Sequence, residues 1–317
     1  MNLKMKYIET VNNILKSEED KMLNQTVVDL FAGCGGLSLG FEAQGFKTIG
    51  YEKNKDACDT YNRNLKGTCH NEELTSDTEY PVSCDILIGG PPCQPFSAFG
   101  KKLGIKDSRD GFPIFISAIK KIKPKIFLFE NVRGILFKRN KWYLEQVIEL
   151  TENEGYYVDY ALLNARCFNV PQNRERVFVA GCRSGHFNFP QKLNKTVTAG
   201  NALGELTFQT PPDSKFLTKS MDEYIAKYEK ASYCINPRDL NLDKPARTLT
   251  CRNIAAPTSD MHRIRLPDGR RRRLSVREAA RLQSFPDWFH FAGNEDKVFY
   301  QIGNAVPPML SYYLAQS

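Results

Sequence analysis

No two of the nine cysteines in this 317-residue chain are spaced as CxxC, and their number is odd. That excludes a zinc ribbon and a disulfide framework, fits a reducing compartment, and leaves most of these thiols as small buried hydrophobes. No apolar run approaches the length of a membrane span. There is no internal repeat and no low-complexity tract. The opening stretch, MNLKMKYIETVNNILKSEEDKML, carries acids and no continuous apolar run, so it does not read as a signal peptide. A solvated extension, helical in part, is expected over residues 1–24. The glycine-rich segments match neither GxGxxG nor a loop ending in GK[ST], which excludes a dinucleotide fingerprint and a Walker loop. No metal is expected.

What is present is the composition of a soluble globular protein, 41% hydrophobic and 25% charged, long enough for one large domain or two ordinary ones. The net charge of +8 favours a polyanionic partner without identifying one.

Strand-like and helix-like segments alternate through the first half. Residues 26–31, 48–51, 85–88, 125–129, 157–163 and 176–181 read as strands. Residues 36–44, 54–64, 114–122 and 142–153 read as helices. Such alternation predicts an α/β fold with a mostly parallel sheet covered on both faces. After Cys182 periodicity weakens and Pro, Asn, Lys and Thr become common. The expected plan is an extension (1–24), a catalytic and cofactor-binding domain (25–183), a smaller irregular domain (184–272) and a segment returning to the first domain (273–317). From Arg263 to Arg281 the chain holds eight arginines against two acids.

The chemistry is carried by short motifs. Asp29-Leu30-Phe31-Ala32-Gly33-Cys34-Gly35-Gly36 leaves a strand and opens a helix. Glycines there let the backbone turn sharply and approach a ligand, and the helix start offers free N–H groups. Glu52 ends the following strand, where an acid accepts the ribose hydroxyls of an adenosine. An adenosine ligand without a pyrophosphate is implied, and S-adenosylmethionine fits. In Gly89-Gly90-Pro91-Pro92-Cys93, two prolines fix the backbone just before a thiol at the carboxyl edge of a buried strand. Glu130 tips the apolar strand IFLFENV, where partial burial is expected to raise its pKa so that it holds a proton near neutral pH. In QNRER, alternation places Arg174 and Arg176 on one face if the segment is extended.

Together these segments resemble the cytosine-5 DNA methyltransferase family, of the bacterial or phage restriction–modification type. The resemblance runs from Val27 to Pro308 and rests on DLFAGCGG, Glu52, GGPPCQPFS, ENVRG, QNRERVF, LSVREAARLQSFPD and QIGNAVPP, in that order. It implies a Rossmann-like, S-adenosylmethionine-dependent domain plus an irregular target-recognition domain. It implies that Cys93 is the nucleophile adding to C6 of a cytosine, that Glu130 contacts N3 and the exocyclic amine, and that Arg176 with Arg174 holds the base. The cofactor site it implies is built from Phe31, Ala32, Gly33, Cys34, Gly35, Gly36 and Leu37. Glu52, Lys53 and Pro91 complete it, with Glu72 as the acid near the adenine amine and Asn304 and Ala305 returning from the tail. S-adenosylhomocysteine is then the product.

Addition of a thiolate at C6 makes C5 nucleophilic, which is covalent catalysis. The target carbon lies inside the duplex stack, so the nucleotide is expected to flip out. The segment 97–111 has the composition of a loop closing over the base. DNA contacts are expected from Gln94, Ser97 and Arg109, from Arg247, Thr248 and Leu249 in the recognition loops, and from the run Arg270, Arg271, Arg272 and Arg273 on phosphates. Arg277 and Glu278 are expected in structural pairs, and Trp288 and Phe289 in the core. The partner is double-stranded DNA, read by a monomer in the bacterial cytoplasm or nucleoid, alongside a restriction endonuclease that acts on the same site without stable binding. The alternatives are a tRNA cytosine-5 methyltransferase, whose motif more often reads Phe-Thr where this chain has Phe96-Ser97, and a catalytically silent DNA-binding homologue.

Overall fold

The computed structural model describes residues 6–16, 23–80, 84–92, 111–231, 238–255 and 260–317. Cys93, Gln94, Ser97, Arg109 and nearly all of the expected closing loop lie outside the described residues.

A short helix α1 (Tyr7–Ile14) comes first. Strand β1 (Thr26–Leu30) then leads through the glycine turn into α2 (Gly36–Ala43), β2 (Lys47–Glu52), α3 (Lys55–Asn64) and β3 (Thr68–Asn71). Next come β4 (Ile86–Gly89), α4 (Phe112–Ile122), β5 (Ile126–Val132), α5 (Lys141–Glu152) and β6 (Tyr157–Asn164). The two-residue β7 (Gln172–Asn173) and β8 (Glu175–Cys182) complete the first half. Seven strands form one sheet in the order β3-β2-β1-β4-β5-β8-β6. From β3 to β5 every pair is parallel, and β8 runs antiparallel to both of its neighbours. This is the expected α/β architecture with a mostly parallel sheet. Strands β1 and β4 are buried on both faces because helices cover the sheet on each side. Chain order reverses between β1 and β4, and a crevice at the carboxyl ends of the strands opens at such a switch point.

The second half holds more regular structure than its composition implies. It contains α6 (Ala199–Leu203), α7 (Lys219–Ala231), β9 (Ala246–Arg247), α8 (Cys251–Ala255) and an antiparallel pair, β10 (Arg263–Arg265) with β11 (Arg271–Arg273). Strand β9 pairs with β7, and one cluster of buried apolar side chains runs from Val27 through Leu203 and Ile264 to Leu314. The chain ends in α9 (Val276–Leu282), α10 (Glu295–Asn304) and α11 (Pro308–Ala315).

The tail returns to the first half through close backbone contact. A Cβ on Gly40 of α2 would lie 2.3 Å from the Tyr312 nitrogen of α11, and one on Gly36 would lie 2.4 Å from the Val306 carbonyl. Gly40 therefore sets how near α11 lies and Gly36 how near the segment before it lies, and the Ser311 hydroxyl donates to the Leu37 carbonyl. The expectation of a solvated N-terminal extension is corrected: Val11 and Leu15 are fully buried, and Asn12 binds the Asp287 amide and the Trp288 indole N–H. Phe289 lies in the core and Trp288 packs against it, as expected.

Candidate active site

The cavity at the switch point has a volume of about 540 Å³. Its walls begin with the turn after β1. Phe31 has φ of 60°, Gly33 of 56° and Gly35 of 86°, so three residues of the turn stand in the left-handed region. Only glycine is at ease there, and Phe31 is held in place by its neighbours. The Ala32 amide donates to the Tyr51 carbonyl, and Gly35 caps α2. A Cβ on Gly33 would meet nothing within 4 Å, so this backbone lies bare.

Glu52 holds the turn from the next strand. Its Oε2 accepts from the Gly33 amide at 2.9 Å and its Oε1 from the Asn54 amide at 2.7 Å. A carboxylate has about four acceptor positions, so acceptor capacity remains for hydroxyl groups of a ligand. Lys53, Glu72, Pro91, Asn304 and Ala305 line the same cavity, together with Ala32, Cys34, Gly36 and Leu37. Gly35 acts from behind, as the cap of α2.

Asp29 belongs to the site although it was not singled out in the sequence. It is 1% exposed beneath the turn and accepts from the Ser38 hydroxyl at 2.6 Å. Burial pushes its carboxyl up to about 7; the Ser38 hydroxyl opposes this, and the nearby Glu52 adds to it. Burial likewise pushes the Cys34 thiol up to about 12, which leaves it an inert part of the wall. The first letter of DLFAGCGG was the available signal for Asp29.

The far side of the cavity is formed by β4, β5 and β8. Glu130, on β5, meets Arg176, on β8, with Nε to Oε1 at 2.7 Å, and both side chains are mostly buried. The register explains the meeting: Val132 stands opposite Arg176, and Glu130 lies two residues back on the same face. Asn131 turns the other way, and its amide donates to the Pro91 carbonyl at 3.2 Å. The Pro92 carbonyl accepts from the Gly111 amide at 3.0 Å, so the two residues flanking 93–110 meet on the cavity wall.

Arg174 and Arg176 both line the cavity, but they differ in their attachments. Arg174 is 1% exposed and donates to the carbonyls of Leu249, Gly303 and Ala305. Burial, reinforced by Arg176, holds its guanidinium well below the ordinary arginine range. It ties β7–β8 to the second half and to the tail through its two Nη groups, while Arg176 is the one that meets Glu130.

The arginine run also faces inward. Arg272 is 3% exposed and bidentate to Glu278, Arg271 pairs with Asp222, and Arg273 donates to the Ala255 carbonyl. Arg270 alone of the four stands out, 59% exposed, bound to Asp268 and lying over the Phe216 ring. The expectation of four phosphate contacts is therefore corrected for Arg271, Arg272 and Arg273, which are taken up by Asp222, by Glu278 six residues on, and by the Ala255 carbonyl. Leu249 is fully buried, its amide held by Gln172, so it supports the loop and cannot touch DNA. Arg247 is held by Asp260, and the Thr248 hydroxyl donates to the Asn173 carbonyl. Arg277 donates to the Pro286 and Phe289 carbonyls, the structural role expected of it.

Among the described residues no group of three or more His, Cys, Asp or Glu side chains is placed to hold a metal ion, and no helix is long and apolar enough to cross a membrane.

The profile of the C-5 cytosine-specific DNA methylase family matches residues 25–317. Type II methyltransferase M.AplI of Arthrospira platensis is 51% identical, covering 100% of this chain and 92% of its own length. Type II methyltransferase M.NgoFVII of Neisseria gonorrhoeae is 33% identical over 92% of this chain and 85% of its own. In fold, the chain is similar to Spodoptera frugiperda DNMT2, with a TM-score of 0.72, 15% identity and coverage of 92% and 99%. It is similar to the Entamoeba histolytica methyltransferase EhMeth as well, with a TM-score of 0.70, 16% identity and coverage of 92% and 97%.

Proposed function

Because the chain belongs to the C-5 cytosine-specific DNA methylase family, whose members are DNA cytosine-5-methyltransferases, we propose that it methylates a flipped-out cytosine in a specific DNA duplex through a covalent bond from Cys93. Its relatives are Type II methyltransferases, which places the enzyme with restriction–modification.

The observation that carries the reading is convergence. The glycine turn with Glu52, the Glu130–Arg176 pair and Pro92, the residue before Cys93, all stand on the walls of one cavity. S-adenosylmethionine fits this cavity by its donor set: the bare Gly33 backbone, the spare acceptor capacity of Glu52, and a volume inside the range of ligand pockets. Phe31, Gly33, Leu37, Glu52, Glu72 and Asn304 would hold it. When bound, it supplies the methyl group as an electrophile.

The protein's residues prepare the other reactant. Cys93 adds to C6, and C5 becomes a carbon nucleophile. Glu130 faces the N3 edge, accepting from the exocyclic amine and, when it carries a proton, donating to N3. Arg176 orients Glu130 and adds positive charge to the cavity wall, which favours a thiolate. Arg174 and Asn131 position these groups through the backbone. Loss of the C5 proton and departure of Cys93 restore the ring.

Residues 184–272 read the target sequence, and the enzyme works as a monomer in the bacterial cytoplasm beside an endonuclease specific for the same site. Methyl transfer to duplex DNA and to tRNA, measured side by side with 5-methylcytosine mapped in the product, tests this. Transfer to DNA alone is expected. Transfer to tRNA alone overturns the DNA reading, and binding without transfer indicates a silent homologue.

A further inference from the structure

We infer that the rim formed by residues 133–142 is a second DNA contact surface, where the catalytic half of the molecule grips phosphates beside the cavity. The inference rests on the reading of duplex DNA as substrate and adds to it a site outside the recognition segment.

This stretch, RGILFKRNKW, has four cations and no acid. Its burial pattern separates anchor from display. Ile135 and Asn140 point inward, with the Asn140 amide donating to the Gly134 carbonyl at 2.7 Å. Arg133, Lys138, Arg139, Lys141, Phe137 and Trp142 are all exposed. Trp142 is 49% exposed and Phe137 is 47% exposed. Two exposed aromatic rings among four cations suit the sugar and base faces of a nucleic acid whose phosphates the cations meet.

Placement makes the surface continuous with the site. Strand β5 delivers Glu130 to the carboxyl edge of the sheet, and the rim begins one residue after β5 ends. Helix α5 starts at the same edge, so the positive end of its dipole adds to the charge. The ring of Tyr143, on α5, meets that of Phe112, on α4, at 5.4 Å, which sets the rim against Gly111 on the cavity wall. A duplex with one nucleotide extruded into the cavity must lie across this edge.

The cations are available for the task. Arg133 pairs with Glu175, and Lys141 with Glu145, both at exposed positions where such pairs contribute little. Among the described residues Lys138 and Arg139 have no carboxylate partner, and both are exposed. Three of the four arginines in the run that composition singled out are turned inward, which leaves part of the phosphate grip to other surface cations.

The test is duplex binding by the full-length protein across a salt series, read by fluorescence anisotropy. Lys138→Ala/Arg139→Ala is compared with Lys47→Ala/Arg63→Ala, which removes the same charge at the opposite edge of the sheet. Each lost phosphate contact flattens the slope of log affinity against log salt by about 0.9. The rim variant is expected to lose about 1 to 2 from the slope, equally on cognate and non-cognate duplexes, with affinity at low salt reduced by about tenfold. The control is expected to keep its slope. An unchanged slope in the rim variant, or an equal loss in the control, overturns the inference while leaving DNA as the substrate. A wild-type chain without salt-dependent affinity overturns both. Trp142→Phe adds a second reading: DNA is expected to quench wild-type tryptophan emission, and most of that change should disappear. An undiminished change contradicts contact at the rim.

Discussion

Arg176 Nε stands 2.7 Å from Glu130 Oε1 at the edge of the cavity, with the side chains 14% and 13% exposed. Two adjacent antiparallel strands deliver a donor and an acceptor to one point, ready to be shared with a third group. Glu130→Gln keeps the shape and removes both the charge and the transferable proton. Single-turnover methyl transfer should fall by about 10²- to 10⁴-fold, while DNA affinity changes little. A variant that retains wild-type rate would remove Glu130 from the chemistry.

The packing of α2 against α11 predicts that Gly40→Ala is destructive although glycine normally weakens a helix. The new methyl would lie 2.3 Å from backbone, which cannot rotate away. A loss of about 1–3 kcal/mol of unfolding free energy is expected, read from a lower urea midpoint, with cofactor affinity falling as the tail moves off. A neutral outcome would mean that the two helices are not held at this distance.

Arg272 and Arg270 are neighbours but one in sequence, and they should behave oppositely. Arg272→Ala leaves Glu278 charged and buried without its partner, at a cost of about 3–5 kcal/mol. Arg270→Ala, at an exposed pair, should stay within about 0.5 kcal/mol. Thermal unfolding of the two variants separates them.

Asp29 makes stability depend on pH. Its folded-state pKa is raised from 3.8 to about 7, so the folded state binds the proton more tightly than the unfolded one. Stability from this group is then complete below about pH 4 and declines as pH rises towards 7, by at most about 4 kcal/mol. Asp29→Asn keeps an acceptor for Ser38 and removes the titration. Its unfolding free energy should gain on the wild type between pH 5 and pH 8. A difference that is flat over that range would contradict a buried, proton-holding Asp29.

The sheet was legible because β1, β4 and β5 are short, mostly apolar runs leading into chemistry-bearing residues. The cavity was legible because glycines, prolines and Glu52 stand at those ends. Strand β3 was not: TCHN is polar, an edge strand with one buried residue. Nor was the docking of α1: Tyr7, Ile8, Val11, Ile14 and Leu15 form an apolar stripe at helical spacing, but the partners it meets, Asp287 and Trp288, lie at the other end of the chain. The arginine run misled for a different reason. Local sequence shows the charge and one acid, Glu278, but not that Glu278 at the start of α9 turns back on Arg272, nor that Asp222 on α7 is brought to Arg271 by tertiary structure.

The covalent bond from Cys93 to C6 can be trapped. A duplex carrying 5-fluorocytosine at the target position, incubated with the enzyme and S-adenosylmethionine, blocks loss of the group at C5 and so holds the sulfur on C6. A denaturation-resistant protein–DNA adduct is expected from the wild type, mapped to Cys93 and absent from Cys93→Ser. An enzyme that methylates ordinary cytosine yet leaves no adduct on the fluorinated duplex would contradict covalent catalysis by Cys93.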